Sequence, residues 1–450
     1  MEKLESLVSN KDTSLALEAL PAIFDEVVPL NQRHRLELGK TIRLLWEDLT
    51  SEREHRTAEY LSSPAYYSAY VRYFLPWNIV RLTSILNRMP LILKAGAIIV
   101  DIGSGPLTLP ISLYIARPDL RKLPLTIYCT DKTERILKVG QTIFESLCAK
   151  LSGALPPWKI ILLRQPFGAH LPEKADLVTA ANVFNEFFWK GKTPLGTRAY
   201  LTAGQILGYL KDSGAAFFME PGDPRSGSFM SSMRAAFSSL GAQPTAPCPH
   251  NRACPMPGIF HGLEAPGSGP PTGLKSKPPE NVIMPKRRDK YPWCHFTIGT
   301  EIAPAWLKKL SDEAGLPKEK LVFSYLLITL AGSGLERKFP QPNLVRIVSE
   351  SFSLPDYKTG RYACSAAGYS LIRYTSDRSD FSSGDLVRLP QGTIAAEIFP
   401  QSAILKEKAP ATGQKTNFSD FLESRGTSLP RKPEPGSGID EKSGAIIISY

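Results

Sequence analysis

Ile98-Ile-Val-Asp-Ile-Gly-Ser-Gly-Pro-Leu-Thr108 is the stretch on which the fold turns. Apolar residues around a single acid read as a buried strand, and Gly-Ser-Gly-Pro reads as a tight turn opening a helix. Glycines at 103 and 105 let the main chain take dihedrals that other residues avoid and let a ligand approach it closely. The first turn of the following helix offers N–H groups without carbonyl partners. A dinucleotide fingerprint needs a third glycine where Thr108 stands, so Gly-x-Gly-x-x-Gly is incomplete. Outward from this turn, apolar runs at 97–100, 125–129, 159–163, 177–181 and 215–219 alternate with helical stretches such as 134–151 and 197–210. That alternation predicts a parallel sheet with helical crossovers. The second run ends at Asp131, where an acid can accept hydrogen bonds from ribose hydroxyls.

The acid two residues before the first glycine resembles the first motif of class I methyltransferases that use S-adenosyl-L-methionine. The resemblance implies a Rossmann-like α/β fold in which Asp101, Gly103, Ser104 and Gly105 hold the methyl donor, Asp131 its ribose and Asn182 its adenine side. Base-amine methyltransferases carry an Asn/Asp-Pro-Pro-aromatic turn after the fourth strand. Here Ala181-Asn-Val-Phe-Asn-Glu-Phe187 has neither proline, and Asn185 and Glu186 read as helix caps. Cys129 and Cys148 fall inside a predicted strand and helix and read as small core residues. No nucleophilic cysteine and no general base emerge, so catalytic residues are left unassigned; a fold does not establish catalysis.

The other four cysteines behave differently. Cys248 and Cys254 lie in Ala246-Pro-Cys-Pro-His-Asn-Arg-Ala-Cys-Pro255, Cys294 in Trp293-Cys-His-Phe296, and Cys364 in a predicted β segment. Prolines stiffen the first patch, and Trp293 and Phe296 are placed to exclude water. The wide spacing matches no compact zinc ribbon or ferredoxin run. Two readings stand: four cysteines on an iron–sulfur cluster, or three cysteines with His250 or His295 on zinc. In a reducing compartment clustered cysteines favour metal or redox roles over structural disulfides. A radical enzyme is disfavoured, because no Cys-x-x-x-Cys-x-x-Cys loop is present.

At 450 residues the chain has length for two or three domains, and its net charge of +11 favours an anionic partner such as nucleic acid. Met1–Glu5 lacks the apolar core of a secretory signal. The longest apolar run, near 321–332, is too short and too polar to span a bilayer. A cytoplasmic protein without a membrane partner is expected. The divisions read from sequence are an N-terminal helical region (1–90), the α/β domain (91–245), a cysteine-bearing loop with a Pro/Gly-rich insertion (246–300), a C-terminal β-rich region (301–402) and a disordered tail (403–450). A tyrosine-rich segment, 60–76, reads either as a packing face or as a lid over a ligand or an RNA-contacting surface.

Val100-Asp-Ile-Gly-Ser-Gly105, Asn182-Val-Phe-Asn-Glu186, Met219-Glu-Pro-Gly-Asp-Pro224, Ala246-Pro-Cys-Pro-His250, Cys254-Pro255 and Trp293-Cys-His-Phe296 occur in that order. Together they resemble the methyltransferase-like proteins associated with the small ribosomal subunit, over roughly residues 55 to 390. The resemblance implies an assembly factor that binds small-subunit rRNA and is monomeric off the ribosome. It also implies a [4Fe-4S] cluster on Cys248, Cys254 and Cys294, with Cys364 as the fourth ligand. An active rRNA methyltransferase is the alternative. The chain departs from the family in the long insertion before Trp293 and in Leu107, where a further glycine is frequent.

Overall fold

The computed structural model describes residues 2–50, 63–186, 193–256, 292–335, 343–354, 358–366, 368–375, 381–389, 438–439 and 446–449. The chain starts with strand β1 (Glu2–Glu5) and helices α1 (Lys11–Val27), α2 (Gln32–Leu36), α3 (Leu38–Thr50), α4 (Pro64–Ala69) and α5 (Leu75–Leu86), a π-helical turn over Tyr70–Phe74 joining the last two. Next come β2 (Ala97–Ile102), α6 (Thr108–Ala116), β3 (Leu125–Asp131), α7 (Glu134–Ser152), β4 (Trp158–Arg164) and β5 (Ala175–Ala181). They are followed by α8 (Leu195–Tyr209), β6 (Leu210–Pro221), α9 (Pro224–Ser239) and β7 (Gln243–Ala246). The last part holds β8 (Phe296–Gly299), α10 (Ala305–Glu313), β9 (Lys320–Thr329), β10 (Leu344–Ile347), β11 (Phe352–Leu354), β12 (Lys358–Ser365), β13 (Gly368–Thr375), β14 (Leu386–Arg388), β15 (Gly438–Ile439) and β16 (Ile446–Ser449).

One sheet runs β4-β3-β2-β5-β6-β9-β7, with β8 also paired to β9. Strands β2 to β6 are mutually parallel, and β9 is antiparallel to both of its path neighbours. The chain moves from β2 outward to β3 and β4, then returns to the far side of β2 for β5. The carboxyl ends of β2 and β5 therefore flank the crevice where doubly wound sheets bind ligands. Register sets Asp101 of β2 opposite Cys129 of β3 and Thr179 of β5.

Helix α6 is buried at every position. A helix apolar all round must be covered on all sides. Helices α1 and α5 supply that cover, and Leu17, Leu20, Ile23 and Phe24 of α1 share one core with Ile99 and Ile127 of the sheet. The N-terminal helices are thus an added layer of the α/β unit.

The structure differs from the sequence reading in three places. Residues Glu2–Glu5, assigned with the helices, pair antiparallel with β14 of the second sheet, β1-β14-β10-β12-β13-β16-β15. Strand β9, assigned to the C-terminal region, enters the first sheet between β6 and β7. Alternation within a strand shows which face is buried, and nothing about which sheet the strand joins. Within the tail expected to be disordered, β16 pairs parallel with β13; residues 403–437 lie outside the described residues, as do 257–291, which hold His261 and Lys286-Arg-Arg288. Among the described residues no helix is long and apolar enough to cross a membrane.

Candidate functional site

The glycine turn uses its freedom fully. Gly103 has φ +62° and Gly105 φ +51°. A Cβ on Gly103 would lie 2.6 Å from Val183 Cγ2, whereas one on Gly105 would point into open space. Leu107 also sits at φ +55° and is fully buried, which explains why glycine would be at ease there. Asn182, at the end of β5, takes φ +58° and donates its N–H to Met219 O at 2.8 Å. Asparagine tolerates this conformation better than most residues.

These elements form a cleft lined by Tyr70, Asn78, Asp101, Gly103, Ser104 and Asn182, among others. Asp101, Gly103, Ser104, Gly105 and Asn182 all line this cleft. Asp131 borders the cleft without lining it. Its Oδ2 accepts the Gly105 N–H at 3.1 Å and its Oδ1 the Thr133 N–H at 2.9 Å, so it braces the turn. The tyrosine segment divides its roles. Tyr67 and Tyr73 are buried packing residues, while Tyr70 faces the cleft.

Asp101 is 1% exposed. Its Oδ1 accepts Thr179 Oγ1–H at 2.7 Å, and its Oδ2 has no partner among the described residues. Burial lifts its carboxyl to about 7, with the Asp131 charge adding and hydrogen bonds from Thr179 and Ser104 opposing. A cationic ligand group at Oδ2 would reverse that rise. Glu220, at the end of β6, is buried and accepts the N–H groups of Val183, Phe184 and Asn185 at 3.0, 2.8 and 3.1 Å. It fixes the turn bearing Asn182, and burial raises it to about 8 against those three bonds. Glu220 was not singled out as a site residue from sequence, since only the crossover brings β6 under that turn. Asn185 and Glu186 lie in a short 3₁₀ turn, Phe184–Glu186, rather than capping a described helix.

The four separated cysteines meet where the two sheets adjoin. Cys248 and Cys254 lie in the loop after β7, Cys294 just before β8, and Cys364 on β12. Burial raises the thiols of Cys294 and Cys364 well above their ordinary value, and the charges of the other cysteines add to it. Arg234 of α9, 4% exposed, donates from Nε to Cys248 Sγ at 3.1 Å and from Nη2 to the His250 carbonyl at 3.0 Å. Burial alone would lower its basicity, but the charges of Cys248, Cys254 and Cys364 raise it. Arg346 of β10, also buried, donates to Pro247 O at 2.6 Å, to Gly384 O at 2.8 Å and to Glu5 Oε2 at 2.8 Å. Neither arginine carried a sequence signal, because each earns its role only through partners distant in the chain.

His250 stands among these thiols, and His295 follows Cys294 in sequence. His250 Nε2 lies 3.3 Å from Cys364 Sγ, and His295 stacks on Trp293 at 4.9 Å with Nδ1 2.9 Å from the Trp293 carbonyl. Trp293 reaches the site because Gly227 leaves it room: a Cβ there would lie 2.6 Å from Trp293 Cδ1. Among the described residues no three His, Cys, Asp or Glu side chains stand so that they could hold a metal ion. Cys129 and Cys148 are buried in the α/β core, as expected.

No protein-family model matches the chain, and no curated protein matches it. Solved structures similar to it include a ribosomal protein L11 methylase from Lactobacillus delbrueckii subsp. bulgaricus (14% identity, 37% of this chain and 70% of that one, TM-score 0.26). Another is TrmN from Thermus thermophilus (17% identity, 32% and 41%, TM-score 0.23). A third is a methyltransferase from Pyrococcus furiosus (10% identity, 34% and 68%, TM-score 0.24). These likenesses assign no role to any residue.

Proposed function

We propose that the chain is a methyltransferase-like iron–sulfur protein that binds rRNA of the small ribosomal subunit and assists its assembly. The observation that carries this reading is that Cys248, Cys254, Cys294 and Cys364, from separate segments, lie close enough for their charges to act on one another, Cys364 buried and the other three half-buried. Sulfur donors of this number are what a [4Fe-4S] cluster takes. A single zinc on three cysteines with His250 or His295 is the alternative. Cys248, Cys254, Cys294 and Cys364 would hold the cluster, and it would supply a cross-link between sheets, with Arg234 offsetting negative charge beside Cys248. The net charge of +11 supports an RNA partner, with phosphate contacts making the affinity fall steeply with salt.

Metal and sulfide analysis of protein purified without oxygen tests the reading. Iron and acid-labile sulfide in near-equal amounts support it; one zinc and no sulfide would overturn the cluster.

A second reading, an active rRNA methyltransferase, is favoured by the unpartnered Asp101 oxygen in the cleft. S-adenosyl-L-methionine would supply an electrophilic methyl group there. Asp101 would bind its ammonium, the Gly103–Gly105 backbone would give it room, and Asp131, which braces the turn, would meet its ribose. Transfer of labelled methyl groups to immature rRNA, lost in Asp101→Ala, would establish this activity; absence of transfer from a protein that still binds the donor would leave the assembly role alone.

A further inference from the structure

Two cations bear on Tyr73, and one of them, Arg81, adjoins the cleft. Arg81 of α5 donates from Nη1 to Asn78 Oδ1 at 2.8 Å, and Asn78 lines the cleft. Lys318, in the segment leading into β9, sets its ammonium 5.6 Å from the ring centroid of Tyr73. Arg81 bears on the same tyrosine. Among the described residues neither cation is in an ion pair with a carboxylate. Burial, and after it the charge of Arg81, pulls the Lys318 ammonium down to about 8. Like charges held together in a partly dry place raise each other's free energy, and an anion between them removes that cost.

The position of the pair suggests which anion. Strand β9 lies beyond β5 and β6, on the opposite side of β2 from β3 and Asp131. A donor reaching from Asp101 toward Asp131 leaves the side toward β9 for whatever docks against it. An arginine fork matches phosphate oxygens in two-point fashion, and a lysine adds a mobile point charge. We propose that Arg81 and Lys318 form a phosphate subsite that seats one backbone phosphate of an RNA strand next to the cleft. This rests on the RNA-binding reading above and adds to it a place where the strand lies.

The test uses the full chain with Arg81→Gln, Lys318→Gln and the double variant. Thermal protection by inorganic phosphate, affinity for S-adenosylhomocysteine, and the salt dependence of binding to a small-subunit rRNA fragment are measured on each. The expected result is that phosphate protection is lost in the double variant. The RNA salt slope then falls by about one in the double variant, for the one phosphate no longer held, and S-adenosylhomocysteine binds as before. If Arg81→Gln folds poorly, Lys318→Gln alone carries the comparison, because its side chain is only half-buried. Equal phosphate protection in wild type and variants overturns the subsite. Loss of S-adenosylhomocysteine affinity with an unchanged RNA slope assigns the pair to the donor's carboxylate and overturns the phosphate assignment. Phosphate protection that depends on the pair, in a wild type with no RNA affinity, overturns the RNA-binding reading while locating an anion site.

Discussion

Asp101 holds one carboxylate oxygen on Thr179 and leaves the other facing buried space, so its charge is costly until a cation arrives. Its folded value of about 7, against an ordinary 3.8, means that the folded protein keeps a proton that the unfolded chain has already released across that window. Stability therefore falls as pH rises through it. Glu220 has the same sign, up to about 8. The ligand-free protein should melt at a lower temperature near pH 8 than near pH 5, and Asp101→Asn should flatten that slope. Melting curves across pH decide it: a wild type that gains stability toward pH 8, with Asp101→Asn running parallel, would sink the argument. The same substitution should weaken S-adenosylhomocysteine roughly 10- to 100-fold, the range for a hydrogen bond involving a charged group. Improved stability with lost ligand affinity is the signature of a binding residue rather than a structural one.

Between β2 and α6 the chain makes a turn that is tight enough to need its neighbours shaped around it. Helix α7 carries Gly140 against that turn, where a Cβ would come within 2.3 Å of the Pro106 carbonyl carbon. Backbone cannot yield there as a flexible side chain would. Gly140→Ala should therefore destabilise the protein by about 1–3 kcal/mol and lower donor affinity, read from denaturant midpoints and ligand titration. An unchanged midpoint would show that α7 does not clamp the turn. The turn itself was legible in sequence because glycines beside an acid punctuate an apolar run, and the strand–helix alternation around it gave β2 to β6 with boundaries close to those observed. Gly140 was not legible, since a helical glycine has no local signal and its meaning lies in what crosses it. Strand β9 was read as a strand but placed in the wrong region, because its neighbours β6 and β7 precede it by many residues and only the assembled sheet shows the gap it fills.

The two sheets share an apolar core, in which Cys364, Tyr369 and Leu371 of one join Phe296, Phe323 and Leu327 of the other. Arg346 links the loop after β7, the Ser382–Asp385 turn and Glu5 of β1, so the beginning, middle and end of the chain meet beside the thiols. The cysteine patches and Cys364 were visible in sequence as local chemistry; the arginines that pack among them were not, since no spacing rule relates α9 or β10 to a cysteine loop. If a cluster closes on these thiols, metal binding and folding of the C-terminal sheet are one process. Cys294→Ser should then lose iron, expose 301–389 to limited proteolysis, and weaken rRNA binding in parallel. Arg346→Leu supplies the contrast. It cuts the bond across to Pro247 O and two bonds within the second sheet but leaves every thiol in place, so the C-terminal sheet should loosen by about 1.5–3 kcal/mol, the cost of losing hydrogen bonds to a charged group, while iron is largely retained. Chelating iron from the wild type should reproduce the proteolysis pattern of Cys294→Ser. A chelated protein as resistant as the loaded one, with RNA affinity unchanged, would mean that the sheets hold together without metal and that the thiols serve some other end.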